Sequence, residues 1–247
     1  MIHTPFSDLM VRSSPDAALD TLVDELFRTL EQTHLLRLAI SGGQTPRRLF
    51  HRLGTPPLRD ALPWDRLELF WVDERCVPPH HPDSNFGAFR EALGGDVPLP
   101  AARIHRLRGE ADPPSEAARY ATLLRDTLED ARRPLLDWVW LGMGSDGHVA
   151  SLFPLADSQP DPSGLCAVTR HPQSGQTRIT LTLAALEAAR RITVLVTGND
   201  KADMLARVFG NLPDASSLPA LRLRKRRPDT RWLCDAEAAR VILEGLA

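Results

Sequence analysis

The chain has 247 residues, 43% of them hydrophobic and 25% charged, with a formal net charge of −2. That is ordinary globular stock, long enough for a full core and suited to one large α/β domain or two small ones. Nothing global recruits nucleic acid or an acidic membrane, and no apolar run is long enough to span a bilayer.

The opening Met1-Ile2-His3-Thr4-Pro5 lacks the charged start and apolar core of a signal peptide. Cys76, Cys166 and Cys234 are widely spaced and odd in number, with no CxxC. Neither a zinc site nor a disulfide framework is suggested, and a reduced, cytoplasmic setting is expected. Basic residues are almost all arginine, Lys201 and Lys225 being the only lysines.

Ser14-Pro15-Asp16 opens a predicted helix to about Thr33, with apolar Ala18, Leu19, Leu22, Val23, Leu26 and Leu30 at helical spacing. Leu35 to Ile40 reads as a strand, and Pro46 to Leu53 as a helix with proline in its first turn. Leu67 to Val72 is a second strand, ending in Asp73-Glu74-Arg75. A proline- and histidine-rich loop follows, then a helix from Asp83-Ser84-Asn85 to about Leu93, a short strand over Arg103 to Leu107 and a long helix over Pro113 to Arg132.

Leu135 to Leu141 suits a buried strand. Asp157 to Gly164 is a polar loop, Leu165 to Arg170 and Arg178 to Leu183 are candidate paired strands, and Leu183 to Ala189 a short helix. Arg191 to Thr197 is another strand, and Gly198-Asn199-Asp200 leads into a helix over Lys201 to Val208. The end reads as a basic loop, a strand over Arg231 to Cys234 and a helix from Asp235. Alternating strands and helices predict an α/β fold, a doubly wound and mostly parallel sheet with helices on both faces and a short antiparallel extension.

The chain is organised around Leu141 to Pro154, LGMGSDGHVASLFP. Gly142, Gly144 and Gly147 permit positive φ and close approach to a ligand, and Asp146 and His148 sit among them. Ligands bind beyond the carboxyl ends of parallel strands, where this turn lies. The plainer reading is a tight strand-to-helix turn with Asp146 as a cap and His148 merely exposed.

Ser41-Gly42-Gly43-Gln44-Thr45-Pro46 lies between a strand and a helix, where orphan N–H groups favour an anion; the alternative is a capped turn. It is neither a Walker A loop nor GxGxxG. Asp73-Glu74-Arg75 sits at a strand's carboxyl end, either as site residues or as a surface ion cluster. Lys201 suits a point-charge phosphate contact or is a plain helix-start lysine. Arg222 to Arg227 reads as a solvated loop. His80 and His81 lack a third ligand. A cation beside Cys76 favours a lowered thiol pKa, and the bland reading is a small semi-buried residue.

In order and spacing, LAISGGQTP, FWVDERCVPPHHPDSNFG, LGMGSDGHVASLFP, RITLTLAAL and VLVTGNDKADML resemble the 6-phosphogluconolactonases, over about Ala17 to Ala239. The resemblance implies one Rossmann-like domain over 1–247, shared in fold with glucosamine-6-phosphate deaminases. It implies hydrolysis of 6-phospho-D-glucono-1,5-lactone to 6-phosphogluconate in the pentose phosphate pathway, with no cofactor or metal. His148 then matches the general base, Asp73 and Arg75 the active-site DER motif, and Lys201 with Ser41, Gly42, Gly43 and Thr45 the phosphate-binding elements. Arg178 of RITLT lines the same cleft. The arginine-rich segment after Ala220 departs from the pattern.

The chemistry agrees. A lactone is an activated ester, so water and a positioned base suffice. No GxSxG elbow offers a covalent route, and imidazole titrates near ~6.5 in the free residue. Arg75 and the Gly-turn amides are candidates to face the oxyanion. Either Asp146 or Asp73 orients His148.

One rival is a deaminase, which continues its GxDGH turn into a Phe-Asn-Glu-Pro-like segment; Phe153 stands here at the Glu position. The other is a sugar-phosphate-sensing regulator, which usually carries an added DNA-binding domain for which this chain leaves no length. The expected partner is a sugar-phosphate lactone, not nucleic acid or membrane, and the expected assembly a monomer or weak homodimer.

Overall fold

The computed structural model describes residues 2–95, 97–127, 135–154, 158–160, 164–210 and 217–245. Strand β1 (Leu9–Arg12) leads into helix α1 (Pro15–Gln32). Ser14 caps α1 by accepting from the Ala17 amide, Pro15 pre-sets its first turn, and Ala18, Leu19, Leu22, Val23, Leu26 and Leu30 form its buried stripe. Then come β2 (Leu36–Ile40), α2 (Gln44–Leu53), a short α3 (Leu58–Ala61), β3 (Leu67–Trp71), β4 (Asp73–Arg75), α4 (Asn85–Leu93), β5 (Ile104–His105) and α5 (Pro113–Asp126). The second half holds β6 (Trp138–Gly142), β7 (Ser158–Pro160), β8 (Cys166–Arg170), β9 (Thr177–Leu181), α6 (Leu183–Glu187) and β10 (Arg191–Val196). After a 3₁₀ turn over Asn199–Lys201 come α7 (Ala202–Phe209), α8 (Pro219–Arg226), β11 (Arg231–Asp235) and α9 (Arg240–Glu244).

Seven strands form a parallel sheet in the order β1-β11-β10-β6-β2-β3-β5. The central strands are apolar along nearly their whole length, as expected where helices cover both faces. Trp71, Trp138 and Trp232 are among the largest fully buried side chains. Arg37 is the exception in β2: it is 7% exposed and its Nε donates to Asp137 Oδ2 at 3.1 Å. A buried guanidinium is tolerable only when so paired. From β2 the chain moves outward to β3, while β6 lies on the other side of β2. This reversal opens a crevice at the carboxyl ends of β2 and β6.

The antiparallel extension is a second sheet of four strands, β4-β9-β8-β7. Asp73-Glu74-Arg75 is therefore a strand of that sheet, paired with Thr180, Ile179 and Arg178, and not simply the end of β3. Part of the expected polar loop is β7, paired with β8; residues 157 and 161–163 of that loop lie outside the described residues.

Other expectations need correction. Helix α2 begins at Gln44, two residues before Pro46, because its proline tolerates any first-turn position lacking an N–H partner. The end of the helix expected to Arg132 lies outside the described residues beyond Thr127. No helix follows β6 directly: Val149 and Leu152 instead form a bridge in a tight turn. The helix expected from Asp235 begins at Arg240.

The basic segment is helix α8, not a solvated loop. Its Arg224 pairs with Asp8 at 2.7 Å and lies 4.0 Å from the Phe209 ring. Arg226 pairs with Glu187 at 3.0 Å. Arg227 donates to the carbonyls of Glu187 and Ala189, groups left open at the end of α6.

Candidate active site

A cleft of about 400 Å³ lies at the carboxyl edge of the parallel sheet. The loops after β2, β6 and β10 supply Ser41 to Pro46, then Met143, Gly144 and His148, then Thr197, Asp200 and Lys201, while β4 and β9 add Asp73, Arg75 and Arg178. Nine of the ten residues singled out from sequence thus line one cavity: Ser41, Gly42, Gly43, Thr45, Asp73, Arg75, His148, Arg178 and Lys201. Asp146 stands behind it, against His148.

The His148 turn is held from several sides. Asp146 Oδ1 lies 2.6 Å from His148 Nδ1 and accepts from the His148 amide at 3.2 Å. Burial raises the Asp146 carboxyl, but the hydrogen bond and charge of His148 outweigh it and hold the group at about 2. Gly144 is required by close approach: a Cβ there would stand 2.1 Å from His148 Nδ1. With Nδ1 engaged, Nε2 is the nitrogen left for the cleft. Asp146 caps no helix.

Asp73 does not pair with His148. Its Oδ2 accepts from Ser151 Oγ at 2.6 Å, and its main-chain carbonyl accepts from Asn85 Nδ2 at 3.0 Å. Glu74, 1% exposed, accepts from the amides of Arg75, Asn85 and Phe86 and from Ser84 Oγ. Burial raises its pKa further than those amides lower it. Glu74 thus ties β4 to the start of α4 and sets where Asn85 sits. The Asn85 side chain lies so near the first loop that a Cβ on Gly42 would meet its Oδ1 at 1.8 Å.

The cationic part is differently made. Ser41 Oγ, Arg75 Nε and Arg178 Nε are buried with no hydrogen-bond partner among the described residues. Arg75 does donate from Nη1 to the Asp83 carbonyl at 2.6 Å. Burial, then the charge of Arg75, lowers the Arg178 pKa. Lys201 Nζ is 3.0 Å from Asp200 Oδ2, and Thr45 Oγ1 is 2.8 Å from Thr197 Oγ1. Such a region offers donors and positive charge to an anion. Among the described residues, no group of three or more His, Cys, Asp or Glu side chains is arranged to hold a metal. Cys76 runs opposite to the effect of a neighbouring cation: burial, with the charge of Glu74, pushes its thiol up to about 11.

Sequence reasoning missed Asn85, Ser151 and Asp200. Asn85 was visible only as part of a helix start. Ser151 and Asp200 flank residues that were singled out, with no local signal of their own.

Residues 12–232 match the family model of glucosamine-6-phosphate isomerases/6-phosphogluconolactonase. A 6-phosphogluconolactonase of Haemophilus influenzae is 36% identical over 225 residues, covering 91% of this chain and 95% of the relative. One from Treponema pallidum is 41% identical over 211 residues, covering 85% and 86%. The crystal structure of a devB protein superposes with a TM-score of 0.87 at 34% identity, covering 95% of this chain and 99% of that one. The chain belongs to the glucosamine-6-phosphate isomerase/6-phosphogluconolactonase family.

Proposed function

We propose that this chain is a 6-phosphogluconolactonase, hydrolysing 6-phospho-D-glucono-1,5-lactone to 6-phosphogluconate in the pentose phosphate pathway. The observation that carries the reading is the division of one cleft between a buttressed imidazole and a set of unpartnered donors. His148 Nε2 takes a proton from water as its oxygen attacks C1. The charge passing to Asp146-backed imidazole is stabilised across the 2.6 Å contact. The carbonyl oxygen becomes an oxyanion, for which Arg75 is the nearby donor, since the Gly144 and Gly147 amides already donate to the His148 and Gly144 carbonyls. The C1–ring-oxygen bond then breaks and the ring oxygen takes the proton back, leaving a carboxylic acid that ionises. Asp146 orients the base in this scheme; Asp73, anchored by Ser151 and Asn85, lines the cleft as an acceptor for substrate hydroxyls.

The substrate phosphate is held by Lys201, Ser41, Gly42, Gly43 and Thr45, with Arg178 contributing charge. No step calls for a metal or an organic cofactor. A cytoplasmic setting accords with Cys76 and Cys234 being free thiols. A monomer or weak homodimer accords with Ile2 being the exposed large apolar side chain among the described residues; gel filtration across a dilution series tests it.

The test of the activity is turnover of the phosphorylated lactone by purified protein and by His148→Asn. We expect the variant to lose about 10²–10⁴-fold in kcat with an unchanged circular dichroism spectrum. Near-wild-type kcat in the variant removes His148 from the mechanism, and an inactive wild type removes the reading.

A further inference from the structure

Phe153 plays no part in the scheme above, yet it touches two of its members. It is buried, at 5% exposure, but it is not part of the main hydrophobic cluster that fills the fold. Its ring centroid lies 4.9 Å from the His148 imidazole, tilted by 58°. The Arg178 guanidinium carbon is 5.6 Å from the same centroid. The His171 ring meets it edge-on at 4.9 Å. One aromatic side chain thus adjoins the base, a cleft cation and a second imidazole.

The backbone is bent to make this contact. Ala150 adopts a left-handed φ of 51°, unusual for a residue with a Cβ, and the Leu152 amide donates to the Val149 carbonyl at 3.0 Å. The chain therefore turns back on itself between His148 and Phe153. His171 is fixed by its own turn, its Nδ1 accepting from the amides of Gln173 and Ser174. Burial, then the charge of Arg178, keeps it from protonating readily.

We infer that Phe153 is a positioning residue for the hydrolysis: its ring fixes the plane of the His148 imidazole and the place of Arg178 beside it. The inference rests on the reading of His148 as the base. An aromatic face carries negative potential and attracts cations within about 6 Å. Arg178 is one such cation. The imidazolium formed as His148 takes its proton is the other, so the ring favours the transition state over the resting base. Asp146 at Nδ1, Arg75, Arg178 and His171 are the other charged or titratable groups around this imidazole, and the ring adds no charge to them.

Phe153→Leu and Phe153→Met keep apolar volume without an aromatic face, and Phe153→Tyr keeps the ring. The measurements are kcat and KM across pH per folded molecule, with folded fraction from thermal unfolding. The His148 ring signals are followed by NMR. We expect Leu and Met to lose about two- to ten-fold in kcat, the scale of an aromatic pair. The acid limb of the kcat profile should move to lower pH, as the imidazolium loses its face, and the His148 ring shifts should change by more than the lost ring current. Tyr should stay close to wild type. The inference is overturned if Leu and Met lower only the unfolding temperature, or if Tyr loses as much as Leu. The NMR arm separates this from the base assignment: His148 shifts in Phe153→Leu that change by no more than the lost ring current overturn the positioning whatever turnover does, whereas full turnover by His148→Asn overturns the base.

Discussion

The two ends of the cleft are built on opposite plans. Around His148, protein groups satisfy protein groups: Asp146 engages Nδ1, Gly144 packs against the ring edge, and Ser151 and Asn85 hold Asp73 nearby. At the phosphate end, Ser41 Oγ is buried and unpartnered among the described residues, and so are Arg75 Nε and, beside Phe153 and His148, Arg178 Nε. Leaving a buried donor unpaired costs about 1–3 kcal/mol. The lesson is that the imidazole is preorganised by internal bonds, while donors around the rest of the cleft store a deficit that an anionic group would relieve.

The largest test of the preorganised end is Gly144→Ala. The new Cβ would stand 2.1 Å from His148 Nδ1, so the imidazole must move. A displacement of about 1 Å costs roughly 10²-fold in rate. We expect a loss of that order in kcat with KM little changed. A variant that keeps wild-type kcat would mean that the ring's place is not critical.

Lys201→Ala addresses the binding end. A charge-assisted phosphate contact is worth about 1.5–3 kcal/mol. The loss in kcat/KM for the phosphorylated lactone should be roughly ten- to a hundred-fold, and for unphosphorylated gluconolactone much less. Equal losses on both substrates would mean that Lys201 serves the fold or the chemistry. Arginine is expected to replace it poorly, because a planar fork does not fit a point-charge site.

A smaller effect is expected from acid. The folded Asp146 carboxyl sits at about 2, against about 3.9 in an unfolded chain. Depression of a carboxyl means its stabilisation is complete above the unfolded value and lost as pH falls through the folded one. The difference in urea midpoint between wild type and Asp146→Asn should therefore shrink as pH falls from about 4 to 2. A difference that stays constant over that range would contradict the assignment.

The smallest effect concerns Cys76. With its thiol pushed up to about 11, little thiolate exists at neutral pH. Iodoacetamide at pH 7.5 should modify it far more slowly than it modifies free cysteine and leave activity intact. Rapid alkylation would show that burial does not govern it.

Much of this site was legible because each loop follows its own strand. Ser41, His148 and Lys201 lie just past β2, β6 and β10, so a reading of strands and glycines placed them at one edge. What stayed hidden depends on contacts distant in sequence. Asp73-Glu74-Arg75 pairs with β9 a hundred residues on, and three charged residues give no strand pattern. The Arg222 to Arg226 run is helical, with Arg227 closing it, because Asp8, Glu187 and open carbonyls of α6 receive its guanidiniums, partners that composition cannot reveal. Which carboxylate meets His148 was likewise undecidable from spacing, since both Asp73 and Asp146 lie at strand ends.

Sheet order also constrains how the chain matures during synthesis. β11 lies between β1 and β10, and among the described residues β1 pairs in the sheet with β11 alone. Strand β1 therefore cannot join the sheet until residues 231–235 have been made. Helix α8 comes just before them, and its Ala220 amide donates to the Gly147 carbonyl at 3.0 Å, within the turn that carries His148. A nascent chain halted before α8 would hold every residue lining the cleft and lack this clasp on the His148 turn, so that turn is completed only once α8 has been made.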